Sequence, residues 1–223
     1  MAFEEMSMHA LDAAAFRALD EKAKTLGMPE RILIENASSN MCAIIDALGL
    51  EKKGIVVAGR GNNGADVLSC ARKLLSRGYD LTIVALADKE PNQEVQFQLA
   101  LLKKITEVHI LRKKEEIDSW GRLSCGKAFI LDGILGIGVK GTLNEFLQRI
   151  IAAINATKIP VIACDIPSGL SPDTDNRGAC AVKADYTITF LAPKRGFFLN
   201  GLHFCGRIIV TDIGLSKSIL EQI

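Results

Sequence analysis

The chain has no surplus of charge: 27 lysines and arginines stand against 26 acids, a formal net charge of +1 at pH 7. So even a balance gives no general electrostatic case for nucleic acid or an anionic membrane as the main partner. No apolar run is long enough to span a bilayer, and residues 1–10, with Glu4 and Glu5 and no apolar centre, do not resemble a secretory signal. The expectation is a cytoplasmic protein. Paired cysteines are missing as well, since Cys42, Cys70, Cys125, Cys164, Cys180 and Cys205 form no CxxC motif. Their scatter suits small buried hydrophobes in a reducing compartment and speaks against a disulfide frame or a zinc site. The three histidines lack HExxH spacing, so a transition-metal hydrolase is excluded unless folding gathers them. There is no linker, low-complexity tract or internal repeat. With 223 residues, 48% of them hydrophobic, the chain reads as one well-cored domain.

What is present begins with two helices. Leu11, Ala14, Ala15, Ala18, Leu19 and Ala23 recur at helical spacing, and Gly27 with Pro29 marks a stop. A second helix over 30–48 has Ile32, Leu33, Ala37, Met41, Ile44, Ile45 and Leu48 as its stripe. Its polar residues Glu35 and Asn36 read as a solvated face rather than as ligand contacts. Strands and helices then alternate, the pattern of βαβ units and a mainly parallel sheet. The patterning predicts strands near 54–58, 81–86, 107–110, 128–131 and 161–164, and helices near 65–76, 92–103 and 143–154, with a short one around 115–122. Beyond Asp165 the β-branched and aromatic runs 186–190 and 207–210, without a convincing helix between them, predict strands added at one side of the sheet.

In open α/β sheets the ligand crevice lies outside the carboxyl ends of the strands, so three glycine-bearing loops matter most. The first is Gly59-Arg60-Gly61-Asn62-Asn63-Gly64-Ala65-Asp66. It lacks the GxGxxG register and the P-loop lysine, and its glycines alone are explained by a tight turn. The second, from Asp132 through Gly136, Gly138 and Gly141, lets backbone N–H groups approach a phosphate, with Lys140 nearby. The third, Asp165-Ile166-Pro167-Ser168-Gly169, offers a carboxylate and a hydroxyl but no GxSxG elbow, so Ser168 is not a convincing nucleophile. Oxygen-only coordination by Asn63, Asp132 and Ser168 would favour an alkali or alkaline-earth ion over zinc or copper.

These loops, in this order and spacing, resemble the YjeF N-terminal domain family, the NAD(P)HX epimerases. The resemblance extends to Leu11-Asp12, Leu33-Ile34-Glu35-Asn36-Ala37, Asn155 before the DIPSG loop, Ala184 to Phe190 with Pro193-Lys194, and Asp212-Ile213-Gly214. It implies a single YjeF N-terminal-type domain over 1–223 with a three-layer αβα Rossmann-like sandwich, usually a homodimer. It also implies an isomerase that interconverts the epimers of hydrated NADH or NADPH, damaged cofactors with a hydroxyl at C6 of the reduced nicotinamide ring. By resemblance, substrate contacts fall on Asn62, Asn63, Gly64, Ala65, Asp66, Gly136, Ile137, Gly138, Val139, Lys140, Gly141, Thr142 and Asp165, and a potassium ion on Asn63, Asp132 and Ser168. The dehydratase that completes the repair would be a partner on another chain, since this sequence is expected to end before such a domain.

C6 of the hydrate is a hemiaminal carbon, so the ring nitrogen can help expel the hydroxyl and leave a planar iminium open to water from either face. One carboxyl group can serve both proton transfers in alternation; Asp165 is the expected acid/base, with Lys140 balancing charge or positioning the substrate. The family commonly has Gly-Gly-Asp-Gly where this chain has Gly64-Ala65-Asp66-Val67. Positive φ at either position would strain Ala65 or Val67, whereas a place in the first turn of the helix would cost little. The resemblance also admits a non-catalytic dimeric scaffold or ligand-binding module of the same fold. Retention of Asn63, Asp132, Asp165 and Ser168 favours the enzyme.

Overall fold

The computed structural model describes residues 9–138, 141–176 and 178–215. Helix α1 (Ala13–Thr25) starts at Asp12, whose Oδ1 accepts from the Ala15 N–H at 2.9 Å. It buries Ala13, Phe16, Leu19 and Ala23. Ala14 and Ala18, expected in the apolar stripe, are exposed instead. Alanine favours the helix on either face, so its spacing does not mark the inner one. Helix α2 (Glu30–Ala47) follows, burying Leu33, Ile34, Ala37, Met41 and Ile45.

Seven strands come next among the described residues: β1 (Lys53–Ala58), β2 (Asp80–Leu86), β3 (Val108–Leu111), β4 (Phe129–Gly133), β5 (Val161–Cys164), β6 (Tyr186–Phe190) and β7 (Arg207–Thr211). They make one sheet in the order β3-β2-β1-β4-β5-β6-β7, with every neighbouring pair parallel. The connections are α3 (Asn62–Ser76), α4 (Gln93–Leu102), a 3-10 turn (Lys114–Ser119) running into α5 (Trp120–Ser124), and α6 (Glu145–Asn155). The expected gap between β6 and β7 contains a 3-10 turn (Arg195–Phe198) and a short α7 (Leu202–Cys205). One turn of helix has too few residues to show a 3.6 period.

Side-chain alternation along the strands builds three layers. Val56, Ala58, Leu81, Ile83, Phe129 and Leu131 face α2, α3 and α4. Ile55, Val57, Val84, Leu86 and Ile130 face Trp120 and Leu123 of α5 and Phe146, Ile150 and Ile154 of α6. Both faces are covered, which explains strand runs that are apolar almost without interruption. The strand order reverses between β1 and β4, and at that switch point the two diverging connections leave a crevice at the strands' carboxyl ends.

Glu35, expected on a solvated face, keeps a side chain 34% exposed but is tied into a network of ion pairs and hydrogen bonds, and it lies outside the groove lining. Its carboxylate accepts from Arg72 Nη2 at 2.7 and 2.8 Å, from Ser69 Oγ at 2.8 Å and from Gln98 Nε2 at 3.2 Å, with Lys73 Nζ at 3.0 Å. Burial pushes its pKa up, but Lys73, Arg72 and Ser69 outweigh that and hold it down at about 2. Asn36 donates to the Ile213 carbonyl at 3.0 Å. The pair clamps α2 to α3 and α4 and to the end of the sheet.

Candidate active site

A groove of about 940 Å³ opens at the switch point. Its floor is the start of α3, and the chemistry of that helix end is distinctive. Asn92 caps α4 and Asn144 caps α6, each through its side-chain oxygen at 2.9 Å. At α3 the capping position is Gly61, which has no side chain to close the turn. The leading N–H groups of α3 therefore lie at the groove with the positive end of the helix dipole, a favourable place for an anion. Glycine is required here by close approach: a Cβ on Gly64 would lie 2.0 Å from the Gly59 carbonyl oxygen, and one on Gly59 would lie 1.8 Å from that of Ile134.

Asn62 forms the rim, donating to Glu30 Oε1 at 2.5 Å and accepting from Asn92 Nδ2 at 2.7 Å. Asn63 reaches across the switch point and donates from Nδ2 to the carbonyls of Leu135 and Cys164, each at 2.9 Å. One amide thus ties the ends of β4 and β5. Ala65 and Val67 lie inside α3 and are fully buried, with Val67 where any Cβ on Gly133 would strike it at 2.5 Å. Their side chains pack into the core beneath the site, so the departure from the family pattern carries no strain and does not narrow the groove.

Behind the groove, Asp132 at the end of β4 is 0% exposed. Its Oδ1 accepts from Ser168 Oγ at 2.6 Å and from the Ile134 N–H at 3.2 Å, and its Oδ2 accepts from the Ser168 N–H at 2.9 Å. Burial raises its pKa to about 6 against the pull of those bonds. No cationic side chain pairs with it among the described residues. Asn63, Asp132 and Ser168 therefore supply only oxygen ligands and a buried carboxylate without a counter-charge, a donor set that fits a hard monovalent or divalent cation. Among the described residues no group of three or more His, Cys, Asp and Glu side chains is placed to hold a metal, so the histidines are not gathered.

Asp165 occupies the turn after β5 with a φ of +63°, a left-handed conformation that aspartate tolerates better than most residues. Its Oδ1 receives the ammonium of Lys194, the Phe190 N–H at 3.1 Å and the Thr189 hydroxyl at 3.4 Å. Oδ2 has no partner among the described residues. Lys194 is 1% exposed, donates to Thr189 Oγ1 at 2.9 Å and to the Phe190 carbonyl at 3.3 Å, and lies 4.0 Å from the centre of the Phe16 ring. Burial pushes its pKa down, while Asp165 opposes that.

Of the residues expected to touch substrate, Asn62, Asn63, Asp66, Gly136, Ile137, Gly138, Thr142 and Asp165 line the groove. Gly64 and Ala65 are buried behind it. Gly141 is exposed and outside the lining, and Val139 and Lys140 lie outside the described residues. Sequence reasoning missed Lys194 and Asp20 as site residues. Lys194 had a weak signal in its place just beyond an apolar strand; Asp20, with a pKa raised mainly by burial, looked like any polar position of α1.

The profile described as "YjeF-related protein N-terminus" matches residues 30–196. The chain is 36% identical to an NAD(P)H-hydrate epimerase of Rhodopirellula baltica over 87% of its own length and 80% of the relative's. It is 34% identical to one of Leuconostoc mesenteroides, over 86% and 84%. With a bifunctional NAD(P)H-hydrate repair enzyme of Dictyoglomus turgidum it shares 32% identity, across 97% of this chain but 42% of that one. The crystal structure of a yeast protein, YNL200c, superposes with a TM-score of 0.81 at 18% identity, covering 96% of this chain and 92% of that one.

Proposed function

The chain belongs to the family of the YjeF-related protein N-terminus and is an NAD(P)H-hydrate epimerase, and we propose that it interconverts the R and S forms of hydrated NADH and NADPH with a bound potassium ion. The observation that carries this reading is the pairing, in one groove, of an open helix terminus with a carboxylate held by a buried lysine. The α3 terminus takes the pyrophosphate, and the nicotinamide ring reaches Asp165.

Epimerisation requires that C6 lose its hydroxyl as water and regain one from water on the other face. The ring nitrogen drives the loss. The protein must bind both ends of the dinucleotide, hold the ring near Asp165 Oδ2 and manage two proton transfers. Lys194 fixes the carboxylate through Oδ1 and leaves Oδ2, on a residue that lines the groove, without a partner among the described residues. Potassium would be held by Asn63, Asp132 and Ser168, where its charge balances Asp132 and fixes the three strand-end loops.

The homodimer and a dehydratase acting on another chain belong to the same reading. The bifunctional relatives, of which this chain spans less than half, are consistent with two activities of one repair being joined in some proteins. The test is direct. Purified R epimer is incubated with the protein in potassium and then in sodium buffer, and the epimer ratio is followed by chromatography. Conversion well above the spontaneous rate in potassium is expected; no conversion in either buffer leaves the scaffold reading.

A further inference from the structure

Resting on that reading, we propose that Asp66 is a second catalytic residue, the acid that delivers a proton to the departing C6 hydroxyl, while Asp165 with its Lys194 partner takes the proton from the entering water. The stoichiometry is met by one carboxyl acting twice or by two in opposite charge states. The groove is lined by five carboxyl side chains, Asp20, Glu30, Asp66, Glu90 and Asp165, and two of them, Asp66 and Asp165, stand in opposite surroundings.

Asp165 has an ammonium, a backbone N–H and a hydroxyl on Oδ1. Asp66, one turn into α3, is 8% exposed, lines the same groove, and makes no hydrogen bond or ion pair among the described residues. It is also not bonded to Asn63, Asp132 or Ser168. A carboxylate so buried and without donors is costly, whereas the neutral acid costs far less and has an O–H to offer.

The charged groups around it point the same way. Burial raises its pKa most, and Asp165 at the end of β5, Glu30 at the start of α2 and Asp20 of α1 each add to the rise; Lys73, farther along α3, opposes them. A carboxyl group without donors beside a carboxylate held by an ammonium divides acid from base by environment.

The step balances as follows. The nitrogen lone pair forms the C=N bond as the C6–O bond breaks, Asp66 gives its proton to the oxygen, and water leaves behind an iminium and an Asp66 carboxylate. Water then adds to C6, its proton passes to Asp165, and the C=N electrons return to nitrogen. Each turnover exchanges the hydroxyl oxygen with solvent and moves one proton from Asp66 to Asp165. Solvent resets the pair.

The test uses the full chain in potassium buffer with purified R epimer and compares wild type with Asp66→Asn. Asparagine keeps the shape but cannot give the proton. Expected are a fall in kcat of about 100-fold or more, KM within threefold or so of wild type, an unchanged Tm, and loss of the alkaline limb of the pH–rate profile. Wild type minus Asp66→Asn infrared spectra at neutral pH should show the C=O band of a protonated carboxylic acid. An Asp66→Asn kcat above a tenth of wild type, or a carboxylate band in that difference, overturns the assignment. If Asp66→Asn does not fold, wild type alone decides: a rate flat from neutral into alkaline pH overturns the proposal, and a fall supports it. Absence of conversion by wild type sinks the proposed function itself, and is thereby distinguished from failure of the acid assignment alone.

Discussion

Lys194 is stable in the interior only through the groups around its ammonium: the Asp165 carboxylate, the Thr189 hydroxyl, the Phe190 carbonyl and the Phe16 ring face. Removing one member of a buried pair strands the other. Lys194→Met should therefore cost about 3 kcal/mol, the low end for such pairs because Asp165 is partly open to the groove, read as a lower denaturant midpoint. Lys194→Met with Asp165→Asn should recover part of that loss. Asp165→Asn alone should lower kcat by about 100-fold or more while binding persists. Val67→Gly, a return to the family residue, should cost about 3 kcal/mol from lost burial and helix propensity, with KM unchanged; a raised KM would show that Val67 reaches the substrate. Val67 and Lys194 also mark what a sequence can reveal. The two possible fates of Val67 were stateable from its position after a glycine turn, but which applied depended on where α3 begins. Lys194 meets Asp165 across 29 residues and Phe16 across 178, so no local pattern announces its burial.

The elements themselves were more legible, because a parallel strand covered on both faces must be apolar along its length and short enough to end at a turn. β1, β2 and β5 follow their predicted bounds to within one residue. α3 begins three residues earlier than its apolar pattern, since glycine and asparagine opened the helix without contributing to its stripe. The three loops at the strand ends were identified from glycine and acid content, yet their mutual tie through Asn63, Asp132 and Ser168 is tertiary. Two outcomes test this level. Replacing tetramethylammonium chloride with potassium chloride at equal ionic strength should raise Tm, by the equivalent of about 2.7 kcal/mol at a hundred times Kd, and Asp132→Asn should abolish the rise. The Glu35 clamp adds an acid sensitivity. Its folded pKa is depressed, so its contribution is complete above the unfolded value of 4.5 and is lost as pH falls through about 2. Glu35→Gln should flatten that part of the stability–pH curve in urea melts.

For the whole molecule, order of strands decides where chemistry can occur. Reversal between β1 and β4 forces the α3 and α6 connections to opposite faces, and there the strand ends open the groove. Among the described residues Leu26, Ile32 and Ile105 are the large apolar side chains left most exposed, two of them flanking the α1–α2 turn. Light scattering should return about twice 24.1 kDa if the proposed homodimer forms; a monomer mass removes that part of the reading.

The glycine at the head of α3 has one more consequence. Its neighbours α4 and α6 are closed by their own asparagines, but the first turn of α3 has no side chain to perform that service. A substrate phosphate seated there would act as the missing cap, so ligand and secondary structure stabilise one another. The signature is kinetic: amide hydrogens of residues 62–64 should exchange with deuterium readily in the free protein and slowly with dinucleotide bound, while those of the α4 and α6 starts hardly change.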